Sequence, residues 1–195
     1  MYFQQSYKYH LNPFRCFVDH TMYECDSGNT NLNKILILFF NSSMAFLYPD
    51  ILGRGYGGGG APTGFMVYEV ERLPVIDLLK ISPANRKKLL QLFKKFTRRK
   101  WGTVFEEIGA NSPEDVSLDK VKPDRRELDK IIMGDILGLT EEEQLEVYRT
   151  VVDLVKSRIE KAKSVKKKNV KEGIDIDVLK NTIIEKIKEK NENYR

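Results

Sequence analysis

A run of glycines places the strongest constraint on how this chain can fold. Residues 53–64 contain seven glycines in twelve positions. Glycine weakens helices and strands because it loses more backbone freedom on folding than any other residue. The segment is therefore predicted to be a loop. It lies within the nearly neutral part of the chain, residues 1–79, and a strongly charged part begins at residue 80.

The part of the chain before residue 80 is predicted to mix strands and helices. Residues 14–18 have the composition of a strand, and residues 65–70 suit either a strand or a short helix. Residues 31–48 carry apolar side chains near helical spacing. The predicted fold class is α+β, with a small mixed domain followed by a mainly helical region.

Capping residues predict where the helices begin and end. Asn31 or Asn33 is expected to cap the first helix and Pro49 to stop it, whereas Ser82 and Pro83 open the next one.

Two further helices are predicted in the C-terminal half. The first covers residues 125–137 and ends at Gly138. The second begins with a capping box at Thr140 and runs through Ile159. The predicted division of the chain is a mixed domain over residues 1–80, a helical region over 81–163 and a charged, Lys-rich, mostly solvated tail over 164–195.

Charge is unevenly distributed along the chain. Residues 80–100 hold nine basic side chains and no acidic one, whereas residues 101–160 hold 8 basic and 15 acidic side chains. Solvated faces usually mix both signs, so the basic stretch indicates a polyanionic partner. Its cations are Lys80, Arg86, Lys87, Lys88, Lys94, Lys95, Arg98, Arg99 and Lys100.

The glycine run contains the letters of a dinucleotide-binding fingerprint. Gly53, Gly55 and Gly58 have the required spacing. That chemistry needs the glycines between a strand and the N-terminus of a helix, so that the backbone can approach a pyrophosphate. Here a predicted helix precedes them, and no Gly-Lys-Ser/Thr sequence follows. The pattern favours a loop without a bound nucleotide cofactor.

The sequence motifs and residue types that other catalytic sites need are also scarce. An amino-methylating enzyme needs a polar residue, two prolines and an aromatic residue in sequence, but residues 12–14 read Asn-Pro-Phe. His10 and His20 are the two histidines, which leaves little material for a hydrolase triad or a metal cluster. The chain is therefore predicted to be non-catalytic alone, with no cofactor or metal of its own.

The cysteines and the apolar runs indicate the compartment. Cys16 and Cys25 suit two free thiols rather than a disulfide scaffold. The longest apolar run, residues 35–40, is too short to span a bilayer. The expectation is a soluble, cytoplasmic protein without a membrane partner.

Three stretches carry a resemblance to a known family. Residues 39–43 read Phe-Phe-Asn-Ser-Ser, and residues 52–61 read Leu-Gly-Arg-Gly-Tyr-Gly-Gly-Gly-Gly-Ala. Residues 124–130 read Asp-Arg-Arg-Glu-Leu-Asp-Lys, with Leu-Thr-Glu-Glu-Glu at 139–143. Together they resemble the C-terminal target-recognition region of adenine-specific DNA methyltransferases in restriction–modification systems, the Eco57I-like and TaqI-like group. The similarity covers about residues 14–165.

The resemblance implies a function in DNA recognition. Family members methylate adenine N6 with S-adenosylmethionine, and their catalytic domain precedes this region, so the chain is expected to bind duplex DNA and to depend on a catalytic domain or subunit. Asn41, Ser42 and Ser43 are assigned equally to DNA contact or to hydrogen bonds with neighbouring backbone. The candidate DNA-binding residues are Arg54, Tyr56, Gly57, Gly58, Asn41, Ser42, Lys87, Lys94, Arg98, Arg99 and Lys100.

Two alternatives remain open at the level of sequence. The chain can be the specificity subunit of a split methyltransferase that is active only with a catalytic subunit. It can also be a scaffold whose acidic helices, between residues 124 and 160, bind another protein.

Overall fold

The computed structural model describes residues 23–52, 54–55 and 63–172, together with His10. Over these ranges the chain is predominantly helical. Its α-helices are α1 Thr30–Phe40, α2 Tyr48–Ile51, α3 Val67–Val70, α4 Pro83–Phe96, α5 Val104–Ile108, α6 Pro123–Asp129 and α7 Glu141–Glu172. Short 3-10 turns cover Ala45–Leu47 and Pro113–Asp115, and α6 continues into a π-helical segment, Lys130–Ile136.

The predicted α+β class is wrong, because the described residues build a helical fold. Their strand pairing is limited to a two-residue antiparallel ladder between β1, Arg54–Gly55, and β2, Thr63–Gly64. Of the strand and the short helix predicted for residues 65–70, the structure has the helix, α3, whose N-cap Met66 donates its N–H to the Glu69 carboxylate at 2.8 Å. The strand predicted at residues 14–18 lies outside the described residues.

The first helix is shorter than its apolar pattern predicted. Asn29, rather than Asn31 or Asn33, is the N-cap, because its side chain accepts hydrogen bonds from the N–H groups of the first turn. The helix ends at Phe40, well before Pro49. Pro49 lies in the first turn of α2 and does not act as a stop.

The other local signals are confirmed. The Ser82 hydroxyl accepts the Asn85 N–H at 3.2 Å, and Pro83 opens α4. Thr140 and Glu143 form the reciprocal capping box that starts α7, with bonds of 2.8 and 3.2 Å. The helix predicted over 125–137 is α-helical as far as Asp129 and then continues as the π-helical segment. Gly138 follows that segment with φ +77°.

Within the described residues the interior consists of two hydrophobic clusters, and the segment 41–47 contributes Ala45 to the first and Phe46 and Leu47 to the second. The first lies between α1, α4, α6 and the π-helical segment, and the second lies between α5, the turn at 113–116 and the N-terminal half of α7. The largest fully buried members of the first are Ile35, Leu38, Phe39, Leu89, Leu92, Leu128 and Ile132, and of the second Ile108, Met133, Tyr148, Val151 and Val152.

Gly109 is required by two constraints at once, which makes it a test of the fold. Its φ is +73°, and a Cβ at this position would lie 2.3 Å from the Lys120 carbonyl oxygen. We expect Gly109→Ala to lower the free energy of unfolding by about 3 kcal/mol, because strain and a backbone clash add together. Denaturant unfolding followed by circular dichroism measures the loss.

Gly138→Ala is the matched control. Gly138 has a similar φ of +77° but nothing within 4 Å of an added Cβ. It should lose only about 1 kcal/mol, the cost of the backbone conformation alone. Equal losses at the two positions would contradict the packing of Gly109 against residue 120.

Candidate nucleic-acid interface

The exposed face of α4 carries cations opposite the side that packs into the core. Leu89, Leu92 and Phe96 are buried. Lys87 and Lys94, seven residues apart, are exposed and lie on the opposite side of the helix at 3.6 residues per turn. Both line a shallow surface groove of about 400 Å³. Amphipathic packing of α4 therefore directs this pair of charges to the surface.

Several other cations of the stretch 80–100 are used within the protein. Arg86 donates to the backbone carbonyls of Leu78, Leu79 and Ile81 at 3.0, 2.7 and 3.0 Å. These bonds hold the turn that leads into α4. Lys80 forms an exposed ion pair with Asp77 at 3.3 Å.

One flank of α4 is neutralised by acidic residues from α6 and the π-helical segment. Lys95 pairs with Glu127 at 3.2 Å, and Lys88 lies 3.9 Å from Asp135. The sequence pattern missed this neutralisation because the acids lie more than 30 residues away in the chain. Within the described residues, the exposed cations of the stretch that form no ion pair are Lys87, Lys94, Arg98 and Lys100.

Arg99 is one of the candidate DNA-binding residues, but the structure places its side chain, 18% exposed, against α5. Its guanidinium donates to Glu107 Oε1 at 2.7 Å and lies 2.6 Å from an Asp124 carboxylate oxygen. It also stacks on the rings of Phe96 and Trp101, at 4.9 and 4.8 Å from their centroids. The contact with Asp124 is a close ion pair rather than a well-aligned hydrogen bond. Arg99 joins the end of α4 to α5.

Glu107 is the acceptor at the centre of this cluster. Only 4% of the residue is exposed, and its carboxylate accepts from Lys122 at 3.0 Å, Arg125 at 3.3 Å and the Gly102 N–H at 3.1 Å, in addition to Arg99. Burial alone would raise the pKa of Glu107, but these donors outweigh it and hold the pKa well below its usual range. The carboxylate is therefore charged over the whole neutral range.

Asn41 and Ser42, both candidate DNA contacts, lie in the interior with 5% and 1% of their surface exposed. The Asn41 amide donates to the Ile37 carbonyl at 2.9 Å, and the Ser42 hydroxyl donates to the Phe39 carbonyl at 2.6 Å. Both side chains therefore bind neighbouring backbone, which is the second of the two roles predicted for them. There they end α1 by binding its last carbonyls.

The stretches 39–43 and 124–130, on which the family resemblance depends, are in direct contact. Arg125 donates to the Asn41 carbonyl at 2.7 Å. Asp129, which is fully buried, accepts from the backbone N–H and the hydroxyl of Ser43 at 2.9 and 2.7 Å. Burial raises the pKa of Asp129, and Arg125 and Ser43 partly oppose the shift. Residues more than 80 positions apart thus form one buried polar unit.

The glycine-rich loop is described only at its base. The backbone of Arg54 pairs in the two-residue ladder, whereas Tyr56, Gly57 and Gly58 lie outside the described residues. The Tyr48 hydroxyl donates to the Pro74 carbonyl at 2.6 Å, which joins the chain before the loop to the chain after it. The base of the loop is therefore attached to the first hydrophobic cluster, to which Tyr48 belongs.

Two negative findings concern the described ranges of the chain. No helix there is long and apolar enough to cross a membrane. No group of three or more His, Cys, Asp or Glu side chains in that part of the chain is arranged to hold a metal ion.

The buried ion cluster generates a pH-dependent prediction. Glu107→Gln leaves Arg99, Lys122 and Arg125 without their shared counter-charge, so we expect a loss of about 3–5 kcal/mol in the free energy of unfolding at neutral pH. Because the folded pKa is depressed, the contribution of Glu107 is present above its unfolded pKa of about 4.3 and is lost as pH falls through the folded pKa. The difference between variant and wild type should therefore narrow below about pH 4.

Glu142→Gln is the control for this measurement. Glu142 is exposed on the first turn of α7, and its substitution should change stability by less than about 0.5 kcal/mol. Denaturant titrations at several pH values compare the two variants. A Glu107→Gln penalty that stays constant down to acidic pH would contradict the depressed pKa.

Comparison with known proteins gave no match to the chain among protein-family models, curated proteins or solved structures.

Proposed function

We propose that the chain binds duplex DNA and that the exposed cations of α4 and the residues after it contact the phosphate backbone. The α4 cationic face is defined here as Lys87, Lys94, Arg98 and Lys100. The observation that carries the proposal is their exposure without an ion pair in the described structure, beside a flank where Lys88 and Lys95 are neutralised. The face therefore stays positively charged, because no acid of the described residues forms an ion pair with it.

A polyanion suits such a face for an energetic reason. Each lysine or arginine that neutralises a phosphate releases condensed counterions, which favours binding and makes it dependent on salt. Contacts of this kind fix the position of a protein on DNA but do not distinguish bases. Under this proposal the α4 cationic face orients the duplex, and base selection belongs to another segment, the loop that contains Arg54 and Tyr56.

The family resemblance extends the proposal to adenine methylation. In this role the chain selects the site, and S-adenosylmethionine is bound by a catalytic domain or subunit. The contact of Arg125 and Asp129 with the segment 41–43 supports the extension, because it joins two of the three similar stretches.

Charge reversal on α4 tests DNA binding. We expect Lys87→Glu with Lys94→Glu to raise the Kd for a labelled duplex roughly tenfold or more at low salt, because two phosphate contacts become repulsive. The slope of log affinity against log salt should shrink by about 2, since each lysine contributes about one unit. Fluorescence anisotropy at several salt concentrations measures both quantities.

The control reverses two exposed cations outside this face, Arg72→Glu with Lys130→Glu. It has the same change in net charge and should bind DNA much more tightly than the α4 variant. If the two variants lost affinity equally, net charge rather than the α4 cationic face would explain binding. A wild-type chain that failed to bind duplex DNA at low salt would overturn the proposal.

A methylation assay tests the extension to adenine methylation. We expect transfer from labelled S-adenosylmethionine to duplex DNA when the chain is combined with the product of the neighbouring gene, and no transfer by the chain alone. Methylation by the chain alone would contradict the assignment of catalysis to another polypeptide. Unchanged methylation on omitting the chain would contradict its role in site selection.

A further inference from the structure

Lysines form two parallel rows along α4. Lys87 and Lys94 are exposed and form no ion pair within the described residues, whereas Lys88 and Lys95, which follow them in sequence, pair with acids. The two members of each row are seven residues apart, so they lie almost above one another at 3.6 residues per turn. The rows are one residue, or about 100°, apart around the helix. Lysine side chains are long and flexible, so neighbouring rows can reach the same partner.

Two carboxylates from neighbouring elements face the second row. Lys95 donates to the Glu127 carboxylate of α6 at 3.2 Å, and the Lys88 ammonium lies 3.9 Å from a carboxylate oxygen of Asp135 in the π-helical segment. All four side chains keep between 40% and 61% of their surface exposed. We call Glu127 and Asp135 the acidic border of α4. Its ion pairs are open to solvent and to a binding partner.

The stability of the fold does not depend on these two pairs. Exposed ion pairs contribute little to stability, because water screens them and long side chains lose freedom when they pair. The position of α4 is held instead by its buried side chains, Leu89, Leu92 and Phe96. Neutral substitutions in the acidic border should therefore leave the fold intact, and the border is free to serve another purpose.

We infer that the acidic border is a negative determinant of DNA binding, which occupies Lys88 and Lys95 in place of phosphate. A lysine ammonium binds a carboxylate and a phosphate in the same way, as a point charge. The border belongs to the same molecule, so it competes with phosphate for both lysines at every DNA concentration. A carboxylate beside a bound duplex also repels it. The border thus confines phosphate contacts to the α4 cationic face, and the inference rests on the proposed DNA binding.

The test removes the acids and the lysines of the pairs separately and together, in the full chain. Glu127→Gln with Asp135→Asn neutralises the acidic border, and Lys88→Gln with Lys95→Gln neutralises the second row. A fourfold variant combines the two changes. Fluorescence anisotropy measures the Kd of each variant for a labelled duplex at several salt concentrations.

The control is Glu142→Gln with Asp153→Asn. Both residues are exposed on α7, and the control has the same substitution types and the same change in net charge as the border variant. Circular dichroism and thermal melting first establish that all variants fold like the wild type.

We expect the border variant to bind the duplex several-fold more tightly than the control, because two more lysines contact phosphate. Its slope of log affinity against log salt should be larger by about 2. The lysine substitutions should leave the slope unchanged where the border is present and lower it by about 2 where the border is absent. The slope counts phosphate contacts, so this difference identifies competition rather than an effect of net charge.

Equal affinities of the border variant and the control would overturn the inference. An equal effect of the lysine substitutions on the slope, with and without the border, would also overturn it. In either case, weaker binding by Lys87→Glu with Lys94→Glu would leave the proposed function intact. A wild-type chain that does not bind duplex DNA overturns the proposed function, and the inference falls with it.

Discussion

The structure depends on one buried carboxylate that gathers cations from several elements. Glu107 of α5 binds Arg99 after α4, Lys122 before α6 and Arg125 within α6. Arg125 then reaches the Asn41 carbonyl after α1. A buried charge is tolerated only when it is paired and hydrogen-bonded, so loss of Glu107 would remove the counter-charge that three cations share. The relative positions of these elements are therefore determined together.

This cluster also determines which cations of the stretch 80–100 stay unpaired at the surface. A basic stretch read from the sequence appears uniform, but folding divides it into inward, flanking and outward cations. Arg99 is turned inward by Glu107 and Asp124, and Lys95 is neutralised at the flank by Glu127. What remains outward is set by the helical phase of α4, whose buried leucines place Lys87 and Lys94 on the opposite side.

Sequence reasoning succeeded where the physical cause is local. Ser82 and Thr140 cap helices through bonds to N–H groups three residues away, so their patterns identify α4 and α7 directly. It failed where the cause is distant. The apolar pattern over 31–48 predicts one helix, but the segment that breaks it is fixed by Ser43 binding Asp129, which is 86 residues away. The α+β class failed similarly, because a short apolar run does not distinguish a strand from a helical turn.

The sequence predicts that the candidate site is cationic but does not identify which residues belong to it. The nine cations of the stretch 80–100 can be counted in the sequence. The acids that pair with some of these cations lie on α5, α6 and the π-helical segment, and only folding brings the two sets together. In the proposed function, the surviving lysines bind phosphate and cannot choose a sequence. Base selection then requires a segment with a different geometry. In the proposed function that segment is the glycine-rich loop, and the Tyr48–Pro74 hydrogen bond links the chain before and after it at the core that positions α4.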